Sequence, residues 1–233
     1  MDAIILAGGF GTRLQKVVCN VPKPMAPINS KPFLDYLLDY LIHYKIKNVI
    51  LSVGYKHEII KKHFEKKYKN IDIKYATEKK ALGTGGGITF AMKYSKTNEV
   101  LILNGDSFFN INLKDFFSFH KKNKAELSIA LKSIKNVSRY GIVNIDKQNR
   151  ILSFSEKETK AKSGFVNGGI YLMNKKKFKN TGLSGKFSFE KDYIEKSCSK
   201  RKIYGFVSRN YFLDIGIPED YEKAQTEFKK LKY

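Results

Sequence analysis

The chain is predicted to adopt an α/β fold in which helices cover both faces of a mixed, mainly parallel central sheet. Three observations lead there. Short apolar runs alternate with amphipathic stretches at helical spacing through the first half of the chain. The runs are nearly continuous in Val, Ile and Leu, as strands buried on both faces require. Glycines fall at the ends of these runs, not in a block that would mark a linker. Alternation of this kind implies right-handed β-α-β crossovers and three layers, a Rossmann-like arrangement.

Taken in order, residues 3–7 read as the first strand. Pro32 opens an amphipathic helix with Phe33, Leu34, Leu37, Leu38, Leu41 and Ile42 on one face, and Asn48–Val53 reads as a buried strand. Residues 57–67 repeat the helical pattern and 71–75 the strand. After the glycine run at 83–87, a short helix is expected over 88–94, followed by the wholly apolar strand 100–103. The second half is richer in strands, at 127–131, 141–145, 151–154, 166–173 and 203–207. The last helix begins at Pro218 with Glu219 and Asp220 in its first turn and ends among lysines, as the helix dipole favours.

A chain of 233 residues can bury one large core, and no composition shift or repeat divides it, so one domain over 1–233 is expected, with halves at about 1–110 and 111–233. No apolar stretch approaches the roughly 18 residues that would span a bilayer, and no basic segment precedes an apolar signal region. A cytoplasmic protein with no membrane partner is therefore expected. Cys19 and Cys198 have no paired spacing and read as reduced thiols. The net charge of +22 comes from 44 Lys and Arg against 22 Asp and Glu, but the lysines are spread over helix faces and turns along the whole length. That distribution describes a solvated surface and argues against nucleic acid as partner. His43, His57, His63 and His120 sit singly on expected helices and read as structural or solvent-facing.

The first strand breaks into Leu6-Ala7-Gly8-Gly9-Phe10-Gly11-Thr12-Arg13-Leu14, and Pro22-Lys23-Pro24-Met25 follows. Glycines at the carboxyl end of a strand free a row of backbone N–H groups, where α/β proteins bind ligands. Arg13 and Lys23 add the fork and the point charge that suit phosphate. A dinucleotide fingerprint would need glycine where Leu14 stands, and a Walker A loop would need a Gly-Lys-Ser or Gly-Lys-Thr that is absent. Asn104-Gly105-Asp106 follows the strand 100–103, and Asp214 ends another apolar run, so each offers a hard oxygen at a strand end.

Leu-Ala-Gly-Gly-x-Gly-Thr-Arg-Leu with Pro-Lys-Pro-Met close behind resembles the amino-terminal signature of the sugar-1-phosphate nucleotidyltransferases. The resemblance runs in order through Gly83-Thr84-Gly85, Asn104-Gly105-Asp106, Tyr140-Gly141, Glu156-Lys157, Asn167-Gly168-Gly169 and the Asp214-Ile215-Gly216 segment. It implies a nucleotide site built from Leu6, Ala7, Gly8, Gly9, Gly11, Thr12, Arg13, Lys23, Glu78, Gly83, Thr84, Asn104, Gly105 and Asp106. It implies a sugar-phosphate site in the strand-rich half from Tyr140, Gly141, Glu156, Lys157, Asn167, Gly168 and Gly169. Catalysis would rest on Arg13, Lys23, Asp106, Lys157 and Asp214, with Mg2+ held by Asp106 and Asp214. The implied partners are a nucleoside triphosphate and a sugar 1-phosphate. The short form resembles members that use GTP and a manno-configured heptose 1-phosphate for surface polysaccharide. Uridylyltransfer to a hexose or N-acetylmuramic acid phosphate, and a sugar-nucleotide-binding regulator, are the alternatives, and a homodimer is left open. Ile217 departs from the family, where many members carry Thr.

Overall fold

β-strand 1 (β1, Asp2–Ala7) is buried along almost its whole length and takes a neighbour on each side. The computed structural model describes residues 1–9, 14, 18, 20–135, 141–155 and 163–233. Gly11, Thr12, Arg13, Cys19, Tyr140, Glu156 and Lys157 lie outside the described residues.

After β1 come a hairpin of β2 (Pro27–Ile28) and β3 (Lys31–Pro32), helix α1 (Phe33–His43), β4 (Asn48–Val53), α2 (His57–Phe64), β5 (Lys67–Tyr68) and β6 (Ile71–Thr77). Then follow α3 (Gly83–Ala91), β7 (Glu99–Asn104), β8 (Ser107–Phe109) and α4 (Leu113–Lys122). The second half adds β9 (Leu127–Ile134), β10 (Ile142–Ile145), β11 (Ile151–Ser155), β12 (Gly164–Asn174) and α5 (Lys175–Lys179). A π-helical segment (Phe189–Glu195), β13 (Ile203–Ser208), β14 (Phe212–Asp214) and α6 (Pro218–Glu227) complete the chain.

The sheet is mixed, with the parallel set β7-β1-β4-β6 at its centre. Because the chain leaves β1 for β4 on one side and later crosses to β7 on the other, the gap between the carboxyl ends of β1 and β7 is the topological switch point, where open α/β sheets bind ligands. β12 runs antiparallel to β7 and carries β9 and β10 with it, so the strand-rich half extends the same sheet. One apolar cluster lies under α1 and α6 on one side, and another lies under α3 and the π-helical segment on the other.

Most expected elements fall within a residue or two of their places; the exceptions have local causes. Helix α2 stops at Phe64 because Glu65 takes a left-handed φ of 50°, and Lys67–Tyr68 then folds back as an edge strand on β6. The glycine run is not a loop before a helix: α3 starts at Gly83, and the glycines form its first turns. A Cβ on Gly85 would overlap the Phe187 ring, and one on Gly86 the Gly185 carbonyl. Close packing here offsets the poor helix propensity of glycine. A single 3-10 turn, Met92–Tyr94, finishes the expected helical stretch.

Candidate active site

The carboxyl ends of β1 and β7 open into a cleft of about 420 Å³, lined among others by Leu6, Gly8, Gly9, Lys23, Glu78, Gly83, Thr84, Asn104, Gly105, Asp106 and Gly216. Ala7 is fully buried in the core below it. Gly105 N–H donates to the Leu6 carbonyl at 2.9 Å, which ties the loop after β7 directly to the glycine loop after β1. A side chain at position 105 would collide with that carbonyl, so the approach requires glycine.

Lys23, in a short 3-10 turn, reaches across this junction. Its Nζ lies 2.7 Å from Asp106 Oδ2 and 3.5 Å from Asp214 Oδ1, and its side chain is only 9% exposed. Asp214 arrives from the far end of the chain because β14 pairs antiparallel with β8, setting Asp214 opposite Ser107. Its Oδ1 also accepts from the Gly216 N–H, at 2.8 Å. Burial, and then the neighbouring Asp106 charge, push the Asp214 carboxyl above its ordinary pKa, with Lys23 pulling the other way. Two carboxylates thus share one ammonium in a half-buried place, a local excess of negative charge. Among the described residues no group of three or more His, Cys, Asp or Glu could hold a metal. A divalent ion here would draw on the two carboxylates and complete its shell with other oxygens, a donor set that fits Mg2+ with phosphate and water ligands.

On the nucleotide side, Glu78 is held from two directions: Ser52 Oγ donates to Oε1 at 3.2 Å and Leu82 N–H donates to Oε2 at 2.9 Å. It therefore braces the start of α3 as well as lining the cleft. Thr84 is likewise engaged, donating to Glu190 at 2.7 Å and accepting from Phe189 N–H at 2.8 Å. Of the residues expected on the sugar side, Asn167, Gly168 and Gly169 form an irregularity in β12, where its register with β9 shifts. There β12 also changes partner, from β10 through Val166 to β7 from Ile170 onward. Gly169 has φ of 74°, and Asn167 Oδ1 accepts its N–H at 3.0 Å. Bulges of this kind re-aim a strand beside a site. Gly141 precedes β10. Asn104 lines the cleft, and its buried Oδ1 has no hydrogen-bond partner among the described residues.

Neither Glu190 nor Ser52 was marked by sequence pattern. Glu190 lies in a π-helical segment whose periodicity no strand or helix template matches. His120 is structural: it is buried, with Ser128 Oγ 2.9 Å from Nδ1 and Glu99 Oε2 3.0 Å from Nε2. It lines neither the cleft nor any part of the site.

A protein-family model described as Nucleotidyl transferase matches residues 2–230. The D-glycero-alpha-D-manno-heptose 1-phosphate guanylyltransferase of Aneurinibacillus thermoaerophilus is 48% identical over 229 residues, covering 98% of this chain and 99% of that enzyme. The enzyme of the same name from Campylobacter jejuni is 48% identical over 221 residues, covering 95% and 97%. In three dimensions the crystal structure of HddC from Yersinia pseudotuberculosis is similar with a TM-score of 0.88 at 37% identity, over 97% of this chain and 99% of that one. The same protein complexed with GMP-PN gives 0.86 with the same coverage.

Proposed function

The chain belongs to the nucleotidyl transferase family, and from that premise we propose that it transfers GMP from GTP to D-glycero-alpha-D-manno-heptose 1-phosphate. An oxygen of the sugar phosphate attacks the α-phosphorus in line. The bond from the α-phosphorus to the bridging oxygen breaks, and pyrophosphate leaves with that electron pair. No protein nucleophile is needed, so catalysis consists of aligning two polyanions and stabilising charge at the reacting phosphoryl group.

The observation that carries this reading is the meeting of Lys23, Asp106 and Asp214 at the switch point, beside a cleft walled by Gly8, Gly9 and Gly83. Its base and sugar assignments draw on two heptose 1-phosphate guanylyltransferases at 48% identity over nearly their full length. Asp106 and Asp214 are the residues that would hold Mg2+, which supplies positive charge at the phosphates. Lys23 keeps the two carboxylates together and lies within reach of the phosphate path. Gly8 and Gly9 present backbone to the triphosphate. Arg13 is assigned to the triphosphate and the leaving pyrophosphate, and Lys157 to the attacking phosphate. Asn167 and the Gly168-Gly169 bulge shape the sugar side, with Tyr140, Gly141 and Glu156. Among the described residues no helix is long and apolar enough to cross a membrane. We assign the reaction to the cytoplasm and its GDP-sugar to surface polysaccharide.

The test is magnesium-dependent pyrophosphate release with GTP, UTP, CTP, dTTP and ATP, each against heptose, mannose, glucose and N-acetylmuramic acid 1-phosphates. Release with GTP and the manno-heptose phosphate is expected. Release only with another pair would keep the chemistry and replace the substrates, and release with none would remove the enzymatic reading.

A further inference from the structure

Glu190 stands between the glycine turn of α3, which lines the cleft, and the bulge of β12. One carboxylate oxygen, Oε2, accepts from Thr84 Oγ at 2.7 Å and from Ser188 Oγ at 3.3 Å. The other, Oε1, accepts from Tyr171 OH at 3.5 Å. Tyr171 is fully buried in β12, and its hydroxyl accepts from Asn167 Nδ2 at 2.7 Å. Asn167 in turn closes the Gly169 bulge through its Oδ1. A continuous path of hydrogen bonds therefore runs from the glycine turn of α3, on the nucleotide side, to the bulge of β12, on the sugar side.

Two further features hold this path in one arrangement. Thr84 is fixed from both directions, since its hydroxyl accepts from Phe189 N–H while donating to Glu190. The glycine turn is also clamped onto the segment that precedes Glu190, with Gly85 N–H donating to the Phe187 carbonyl at 3.0 Å and Phe187 N–H to the Leu82 carbonyl at 3.0 Å. A π-helical segment is uncommon, and here it places Glu190 where both hydroxyls reach it. The carboxylate, with its two oxygens set apart, takes Thr84 on one and Tyr171 on the other.

The geometry points to Glu190 as a positioning residue that couples the nucleotide-binding glycine turn to the sugar-binding bulge, so that each half of the cleft sets the shape of the other. The inference rests on the proposed nucleotidyl transfer in one respect only: it takes the two sides to bind the triphosphate and the sugar phosphate. Glu190 itself is not among the residues that line the cleft.

The test compares Michaelis constants for GTP and for the heptose 1-phosphate in wild type, Glu190→Ala, Glu190→Gln and Thr84→Val. Loss of hydrogen bonds to a charged group should raise both constants in Glu190→Ala by about ten-fold, with kcat held within about three-fold. Glu190→Gln should restore both to within about two-fold, because its amide oxygen accepts from Thr84 and its amide nitrogen donates to the Tyr171 oxygen. Thr84→Val, altered only on the nucleotide side, should raise the constant for the sugar phosphate as well. An unchanged sugar-phosphate constant in Thr84→Val would overturn the coupling, and this variant decides the matter if Glu190→Ala does not fold. A shift of one constant alone in Glu190→Ala would overturn it too. Absence of wild-type turnover would instead sink the functional reading; normal wild-type turnover with unmoved variants sinks the coupling alone.

Discussion

The two halves of the molecule place their expected site residues in opposite ways. In the parallel half, functional groups sit immediately after strand ends: Gly8 and Gly9 after β1, and Asn104, Gly105 and Asp106 at the end of β7. In the strand-rich half they come from inside a strand, at the bulge of β12, and from a π-helical segment that meets the sheet through long-range contacts. A parallel sheet lines up its loops at one end by topology alone, so phosphate-binding backbone comes with the fold. An antiparallel extension has no such end, and its pocket has to be made by local irregularities held in place by side chains.

The seam between the halves should give the largest effect. Phe108, in β8, is fully buried and packs against Tyr40 of α1 and against Tyr211, Phe228 and Tyr233 from the end of the chain. Phe108→Ala should cost about 3–5 kcal/mol of stability, measured by urea unfolding, and the transition should stay single. Two separated transitions would mean that the halves fold independently, and the contrast would then be one between domains.

Next in size is the carboxylate pair, to which each half contributes one member. Asp106→Asn and Asp214→Asn should each lower turnover by on the order of 10²-fold or more, read as pyrophosphate release at saturating substrates. If the two act as a unit on Lys23 and a shared cation, the double variant should be little worse than either single one. Near-normal turnover in both single variants would remove the metal assignment.

The same contrast explains what could be read from the chain before its structure. The order of elements in the parallel half follows from hydrophobic period and glycine placement, which are local signals. Glu190, Ser52 and the Tyr171 hydroxyl each depend on a partner distant in sequence, 19 residues away in the Tyr171–Glu190 bond, 26 in Ser52–Glu78 and 106 in Thr84–Glu190. No window along the chain contains that information. Gly83 to Gly87 mislead for a related reason, because helix propensity argues for a loop while packing against Phe187 and Gly185 decides for a helix. Gly85→Ala separates the two effects. Propensity alone predicts a gain of about 1 kcal/mol, whereas overlap with the Phe187 ring predicts a loss of roughly 1–3 kcal/mol together with weaker GTP binding. The loss is expected, and a stabilised variant with intact binding would show that the Phe187 segment gives way freely.

The smallest effect concerns a polar counterpart of the aromatic seam. His120 of α4 joins Glu99, at the start of β7, to Ser128 of β9, and Asn174 of β12 donates to the same glutamate at 2.8 Å. Burial lowers the imidazole pKa from 6.5; Glu99 works against that shift, while Lys121 and Lys177 reinforce it. With the folded pKa depressed, the unfolded chain takes up the proton first. The neutral ring's contribution is therefore fully present above about pH 6.5 and is lost as acid is added. Asp35 and Asp214, whose pKa values are raised, titrate with the opposite sign, so the wild-type curve mixes these terms. Subtracting the curve of His120→Gln isolates the histidine. Between about pH 7 and pH 5 the wild type should lose stability relative to that variant, at no more than about 1.4 kcal/mol per pH unit, the limit for one proton. Parallel curves would mean that Glu99 fully offsets the burial of His120. The junction would then be insensitive to pH, in the same way as the aromatic one beside the cleft.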